Sequence, residues 1–333
     1  MEEKGRVVCV TGGTGFVASW LIMRLLQHGY SVNTTGRPQS HSSVSGSTRD
    51  IGFLTNLPGA SERLRVFTAD LENPDSFAAA IEGCVGVFHV AHPLDYRNEE
   101  TEETIIDKCI GATLGILTAC VETKSVRRVV YTSSVSAVMF NDEVEGGAVL
   151  DEGWWSDVDY IRNEKFHGGS YYISKTLTER AALEFAEKHS LDLVTVNLTW
   201  THGPFICPNW PLSVNSALAM MIRNEYQIQC FPNMPFVHID DVASAHIFLF
   251  EYPEAKGRYI CCAVEITIDK LYEFLSTQYP EKKISSADYC TNKAIKLVRF
   301  SSKKLLDAGF KYKYGLEEMF DEAIQCCRQK GFL

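Results

Sequence analysis

Thr11-Gly-Gly-Thr-Gly-Phe-Val-Ala18 is the stretch whose reading decides the fold. Before it, Arg6–Thr11 is a short β-branched run of strand character. After it, Phe16–His28 repeats apolar residues at Phe16, Trp20, Ile22, Met23, Leu25 and Leu26, the spacing of a helix, and Gly29 stops it. A glycine turn between a strand and a helix is a phosphate cradle. Gly12 permits the tight turn and Gly15 lets backbone approach a pyrophosphate. The helix that follows offers unpaired N–H groups and its positive dipole end. Phe16 and Val17, in its first turn, join Gly12 and Gly15 as dinucleotide-binding candidates. The spacing is Gly-x-x-Gly-x-x-Ala, with Ala18 where close helix–strand packing needs a small residue. A glycine turn alone is a weak sign; at a strand–helix junction it is a specific one.

The same alternation runs outward. Ser31–Thr35, Leu64–Thr68, Val85–Val90, Arg128–Thr132 and Leu193–Leu198 read as strands. Pro74–Ile81, Thr101–Thr123 and Tyr172–Lys188 read as helices between them. Strands alternating with helices are crossover units, and they predict an α/β fold with a doubly wound parallel sheet of the Rossmann type. Pro38–Gly59, rich in Ser, Gly and Thr, breaks the rhythm and reads as a surface loop with one short helix. After Thr199 proline and aromatic residues cluster. Helical patterns resume at Val242–Phe250, Asp269–Gln278, Ser301–Ala308 and Leu316–Arg328. The expected organisation is a dinucleotide-binding domain over 1–198 and a smaller, substrate-binding lobe over 199–333, interleaved with the first rather than independent.

Composition excludes several classes. The chain has 333 residues and an ordinary apolar share, enough to bury a core without disulfides or metal. A formal net charge of −10 argues against a nucleic-acid surface and against anionic membranes. The 11 cysteines are odd in number, include no Cys-x-x-Cys, and read as reduced, mostly buried small apolar residues, which points to the cytoplasm. No cluster has zinc spacing, so no metal is expected. No leader sequence is read at the N-terminus, and no apolar run is read as long enough for membrane insertion. A small-molecule ligand and a monomer or weak homodimer are the expectations.

The end of the second strand separates the two nicotinamide cofactors. A carboxylate there would bind the ribose 2′-hydroxyl. Ser31–Thr35 instead runs to Gly36 and Arg37, and an arginine fork pairs a 2′-phosphate, so NADP(H) is expected. Asp70, after the third strand, suits the adenine amino group or, alternatively, caps the Pro74 helix. Tyr171-Tyr-Ile-Ser-Lys175 opens a long helix, with Tyr171 and Lys175 on one face. A nearby ammonium favours the phenolate, which makes a tyrosine usable as a proton donor near neutral pH. Upstream, Arg128-Val-Val-Tyr-Thr-Ser-Ser134 is a strand ending in hydroxyls, one of which polarises a carbonyl oxygen. Pattern alone does not separate Ser133 from Ser134 in that role.

These motifs together resemble the extended short-chain dehydrogenase/reductase superfamily, and Val237-His-Ile-Asp-Asp-Val-Ala-Ser-Ala-His246 does so as well. The resemblance spans essentially the whole chain and is strongest to the plant dihydroflavonol reductase, anthocyanidin reductase and vestitone reductase family. It implies that Tyr171 donates the proton, that Lys175 holds the nicotinamide ribose and tunes Tyr171, and that Ser134 polarises the carbonyl. It implies cofactor contacts from Arg37, Asp70, Leu71, Val90, Ala91, His92, Thr132, Leu198, Thr201 and Ser213. Departures are specific. Leu198 stands at a usual proline, Thr201-His202 at a usual Val-Val, and His92 at a usual Ser or Thr. Met139 stands where dihydroflavonol reductases carry a substrate-binding Asn. His92, Ser134, Met139 and His202 are therefore the substrate-side candidates, and a dihydroflavonol substrate is disfavoured.

The expected activity is NADPH-dependent reduction of a ketone on a polycyclic plant phenolic such as an isoflavanone. Oxidation of an alkaloid alcohol or hemiacetal is the rival reaction, and an NADP-binding regulator the rival outside enzymes. His238-Ile-Asp-Asp241 reads as a strand–helix junction, with Asp240 or Asp241 as the cap. Trp154, Trp155 and Trp200 suit an aromatic ligand pocket or ordinary core packing equally.

Overall fold

A computed structural model describes residues 6–37, 51–93, 100–222, 231–282, 284 and 295–333. Twelve strands are described in chain order. They are β1 (Val7–Val10), β2 (Ser31–Gly36), β3 (Leu64–Thr68), β4 (Gly86–His89), β5 (Arg128–Ser134), β6 (Val149–Leu150), β7 (Leu193–Leu198), β8 (Trp200–His202), β9 (Asn233–His238), β10 (Gly257–Cys261), β11 (Val264–Thr267) and β12 (Arg299–Phe300). Seven of them form one parallel sheet in the order β10-β7-β5-β4-β1-β2-β3. The order reverses between β1 and β4, and doubly wound sheets bind ligands at such a reversal, outside the carboxyl ends of the strands.

Both faces of this sheet are covered, so its central strands are apolar almost without interruption. In β1, Val8 and Val10 face one core and Cys9 the other. The first core receives the Phe16–Gln27 helix, packed on the Ile239–Glu251 helix. The second receives the Glu102–Thr123 and Gly169–His189 helices, packed on each other. Edge strand β3 leaves Arg65 and Val66 exposed. A smaller lobe carries β11-β9-β8 and the Leu212–Ile222, Ile268–Gln278 and Leu316–Gln329 helices. The chain crosses between the two parts. The Ile239–Glu251 helix and β10, from beyond residue 199, complete the parallel sheet, while β6 pairs with β12.

Several sequence expectations change in detail. The Pro74–Ile81 helix divides into a 3-10 turn, Pro74–Phe77, and a short helix, Ala78–Ile81. Asn73, not Asp70, precedes it, and no side chain caps it. In the segment 38–59, residues 38–50 lie outside the described residues; Gly52–Thr55 forms a short helix. The Leu212–Ile222 helix was not expected. Val214, Ala217, Leu218, Ala219, Met220 and Met221 are all buried, and a helix buried this widely loses its polar face and hence its periodicity. The Glu102–Thr123 helix, against expectation, has the length and mean hydropathy (1.6) of a bilayer span. Here Ile106, Cys109, Ile116, Leu117 and Cys120 are buried within the fold. The nine described cysteines are buried and unpaired; Cys230 and Cys290 lie outside the described residues.

A buried ion pair ties the sheet to the helix that carries Tyr171. Glu179 is fully buried and accepts from Arg258 Nε at 3.0 Å, Ser133 Oγ at 2.7 Å, Thr195 Oγ1 at 2.6 Å and Asn197 Nδ2 at 2.8 Å. Arg258 also donates to the carbonyls of Glu152 (2.9 Å) and Trp154 (2.6 Å), and its guanidinium lies 3.7 Å from the Trp155 ring centre. Breaking such a pair leaves a bare buried charge, at a cost of roughly 3–5 kcal/mol. Arg258→Met should therefore lower the urea midpoint sharply. Pairing it with Glu179→Met should recover part of the loss. A single variant as stable as the parent would show that the pair is not the brace described.

Candidate active site

A cleft of about 1640 Å³ opens at the β1/β4 reversal. Its floor is the glycine turn. Gly12 has φ +72°, and a Cβ there would come within 3.0 Å of Ala91 Cβ. At Gly13 a Cβ would sit 2.2 Å from Thr34 Oγ1. Thr35 holds the turn from the side: its Oγ1 accepts from Gly12 N at 3.0 Å, and its carbonyl accepts from Gly13 N at 2.9 Å. Thr11 holds it from below. Its Oγ1 accepts from Val90 N and Ala91 N, each at 3.0 Å, so its own hydrogen goes to His89 Nδ1 at 3.0 Å. That assigns the hydrogen of His89 to Nε2, which donates to Thr113 Oγ1 at 3.2 Å. Burial, with the Lys175 charge, pushes the His89 imidazolium down to about 3, so the ring is neutral.

The Phe16–Gln27 helix begins at Gly15, which offers no capping side chain. Its first-turn residues Phe16, Val17 and Ala18 line the cleft with Gly12 and Gly15. An uncapped helix N-terminus suits a phosphate. Arg37, exposed just beyond β2, lines the same cleft. Ala69, Leu71, Val90 and Ala91 also line it. Asp70 does not: its Oδ1 accepts from Glu72 N at 3.1 Å, closing a local turn instead. The donors present, an uncapped helix end with an arginine beyond the second strand, fit a phosphorylated dinucleotide.

Across the cleft stands the Gly169–His189 helix. Gly168, at φ +80°, turns the chain into it, and Tyr171 and Lys175 follow on one face. Lys175 is buried; its Nζ donates to Thr132 O at 3.2 Å, and burial pushes its ammonium down to about 8. Thr132 Oγ1 meets His246 Nε2 at 2.9 Å, and His246 Nδ1 donates to Val242 O at 2.8 Å. Ser134 ends β5 and lines the cleft; its Oγ accepts from Ser136 N at 3.1 Å and donates to Ser136 Oγ at 3.0 Å. Ser133 is committed to Glu179. The pair that sequence left unresolved is thereby separated, with Ser134 holding the less buried hydroxyl.

Leu198, Thr201 and Ser213 line the cleft, as does His92. Burial and the nearby Lys175 hold the His92 imidazolium well below its usual range. Phe166, Tyr172, Trp200 and Trp210 supply an aromatic wall. Of these only Trp200 was a sequence candidate for the pocket. Trp210 carried no signal beyond its proline-rich neighbourhood. Trp154 packs on the core, and Trp155 lies under Arg258. Two substrate-side candidates are corrected. Met139 is buried in the core beside Phe140, one turn past Val135, and does not reach the cleft. His202 follows Thr201 on β8, and successive strand residues face opposite ways. It is fully buried, 4.5 Å from the Phe320 ring centre and 6.0 Å from that of Phe236.

The His238–Asp241 junction is corrected too. The cap of the Ile239–Glu251 helix is His238, whose Nδ1 accepts from Asp240 N at 3.1 Å. Asp240 accepts from Trp20 Nε1 at 2.9 Å and pairs with Arg24 at 3.2 Å; Asp241 accepts from Lys313 N and Tyr314 N. Among the described residues no group of His, Cys, Asp and Glu could hold a metal ion.

Residues 8–262 match the NAD dependent epimerase/dehydratase family. Vestitone reductase of Medicago sativa is 50% identical over 333 residues, covering 100% of this chain and 99% of that protein. Protein BRI1-5 ENHANCED 1 of Arabidopsis thaliana is 51% identical over 336 residues, covering 100% and 91%. The crystal structure of vestitone reductase from alfalfa (Medicago sativa L.) superposes with a TM-score of 0.85 at 49% identity, covering 98% of this chain and 99% of that one.

His202 yields a sharp test, because both its ring nitrogens are buried without hydrogen-bond partners among the described residues. Burial pushes its imidazolium down to about 3. The unfolded chain therefore binds this proton first, and the stability tied to the neutral ring falls as pH drops from about 6.5 toward about 3. His202→Leu should be neutral or stabilising by roughly 1 kcal/mol at pH 7 and more so at pH 5. Ligand affinity and turnover should not change. Altered substrate ranking in that variant would return His202 to the site.

Proposed function

The chain belongs to the NAD dependent epimerase/dehydratase family, as an oxidoreductase among its plant reductases, and we propose that it is an NADPH-dependent carbonyl reductase acting on a polycyclic phenolic ketone such as an isoflavanone. The observation that carries this reading is the convergence of Ser134, Tyr171 and Lys175 in one cleft with the glycine turn, Arg37 and an aromatic wall. Flat aromatic faces suit a fused-ring substrate. The likeness to vestitone reductase over the whole chain supports the isoflavanone class.

The nicotinamide, when bound, supplies a hydride to the carbonyl carbon. The first helix turn and Gly12 would hold its pyrophosphate, and Arg37 its 2′-phosphate. The chain's own residues handle the oxygen. Ser134 Oγ would turn its one hydrogen from Ser136 Oγ to that oxygen and steady the negative charge that develops there. Tyr171 then transfers its phenolic proton, completing the alcohol. Lys175 stabilises the phenolate left behind, and a buried ammonium acts more strongly there than one in water.

NADPH oxidation against a panel of aromatic ketones, isoflavanones included, tests the reading; no turnover on any fused-ring ketone would overturn it. Tyr171→Phe should abolish turnover and keep NADPH binding, since only the proton is lost. Normal activity in that variant would remove Tyr171 from the chemistry. Arg37→Ala should erase most of a preference for NADPH over NADH, a loss of roughly 1.5–3 kcal/mol for a charge-assisted contact. Equal affinity of the parent protein for both cofactors, measured by titration, would contradict the assignment of Arg37.

A further inference from the structure

His92 stands beside the reacting residues without a part in the chemistry derived above. It follows β4, lines the cleft, and meets the Tyr171 ring edge to face, with centroids 5.9 Å apart and planes at 84°. Aromatic quadrupoles favour that arrangement. Its Nε2 lies 3.5 Å from Ser174 Oγ and 3.7 Å from Cys109 Sγ. Ser174 spends its own hydrogen on Tyr171 O at 2.9 Å, so its oxygen is the acceptor for His92 Nε2–H. Nδ1 is then a bare lone pair, buried without a partner among the described residues. The imidazole thus spans two helices. Cys109 belongs to Glu102–Thr123, and Ser174 sits three residues after Tyr171 in Gly169–His189.

Tyr171 needs such a neighbour. It lies in the first turn of its helix, behind a glycine that provides no side-chain cap. Its backbone N–H is held by Gly168 O at 3.0 Å, but that bond does not set the direction of the phenol. A residue there keeps one orientation only if something outside the helix holds it.

We propose that His92 is a positioning residue for Tyr171: its ring, anchored between the two helices, holds the phenol in the orientation that delivers the proton. This rests on Tyr171 as the proton donor. A charged ring is disfavoured in the same place, first by burial and then by the Lys175 ammonium.

The test compares His92→Ala and His92→Phe in the full-length protein with NADPH and a ketone that the parent reduces. His92→Ala should lower kcat by roughly tenfold or more, the cost of a slightly misplaced reacting group. KM and NADPH Kd should stay within a few-fold. His92→Phe, which restores an aromatic edge, should recover most of kcat. A readout independent of turnover is the NMR signal of 13Cζ-labelled Tyr171, identified by its loss in Tyr171→Phe. It should shift in His92→Ala and move back in His92→Phe. A parent protein inactive on every ketone would count against the proposed function and leave the NMR comparison to judge His92. An unchanged kcat with an unmoved Tyr171 signal overturns the proposal. So does a loss confined to KM, which would make His92 a substrate contact, or one confined to NADPH affinity, which would make it a cofactor contact.

Discussion

The Glu179–Arg258 pair is the constraint on which the site depends. A buried carboxylate is tolerable only when its lone pairs are filled, and here they are filled from β5, β7 and β10 at once. Satisfying Glu179 therefore sets three strands against one helix. Tyr171, Lys175 and Glu179 follow at four-residue intervals along that helix, so they share one side of it. Ser133, bound to Glu179, is the residue before Ser134, and Asn197 reaches the Ser134 carbonyl at 3.2 Å as well as Glu179. The register of the Ser134 hydroxyl against the Tyr171 phenol is thus set by electrostatics below the cleft.

The cofactor side is held by a different device, a chain of neutral hydrogen bonds. His89, Thr11 and the backbone of Val90 and Ala91 join the glycine turn to the end of β4. Charged groups would be a poor choice beneath a phosphate site, where any fixed charge would add to or oppose the ligand's own. A buried neutral imidazole gives direction without charge.

What sequence revealed follows from the range of the interactions involved. The glycine turn, Arg37 and the Tyr171–Lys175 spacing are local signals, and Gly12, Gly15, Arg37, Tyr171 and Lys175 all line the cleft. Strands β1 to β5 and β7 were legible because each is a short β-branched run between helix-period segments, whereas the two-residue β6 was missed. Beyond Thr199 the same reasoning lost β8, β10, β11 and β12, whose partners lie far away in sequence, and found β9 only by its end at the His238 junction. The choice between Ser133 and Ser134 was invisible because it depends on Glu179, a residue with no motif of its own. Met139 and His202 failed for a related reason. Both were picked by correspondence with positions in related chains, while the direction a side chain takes is decided by the local turn and by strand alternation. The junction at His238 was correct in kind and wrong in detail, since an imidazole took the capping role that carboxylates usually fill.

The late arrival of β10 has a consequence for synthesis. Translation delivers β1 to β5 and β7 long before residues 257–261, yet β10 is the strand that covers the outer edge of β7. Arg258, which neutralises Glu179, arrives in the same strand. A nascent chain halted before it would therefore present an unpaired parallel edge and an uncompensated interior charge together. Unpaired edges recruit other strands. The nascent nucleotide-binding half thus keeps an open edge until nearly half of the smaller lobe has also emerged, and chaperones that shield strand edges would find their substrate in that interval.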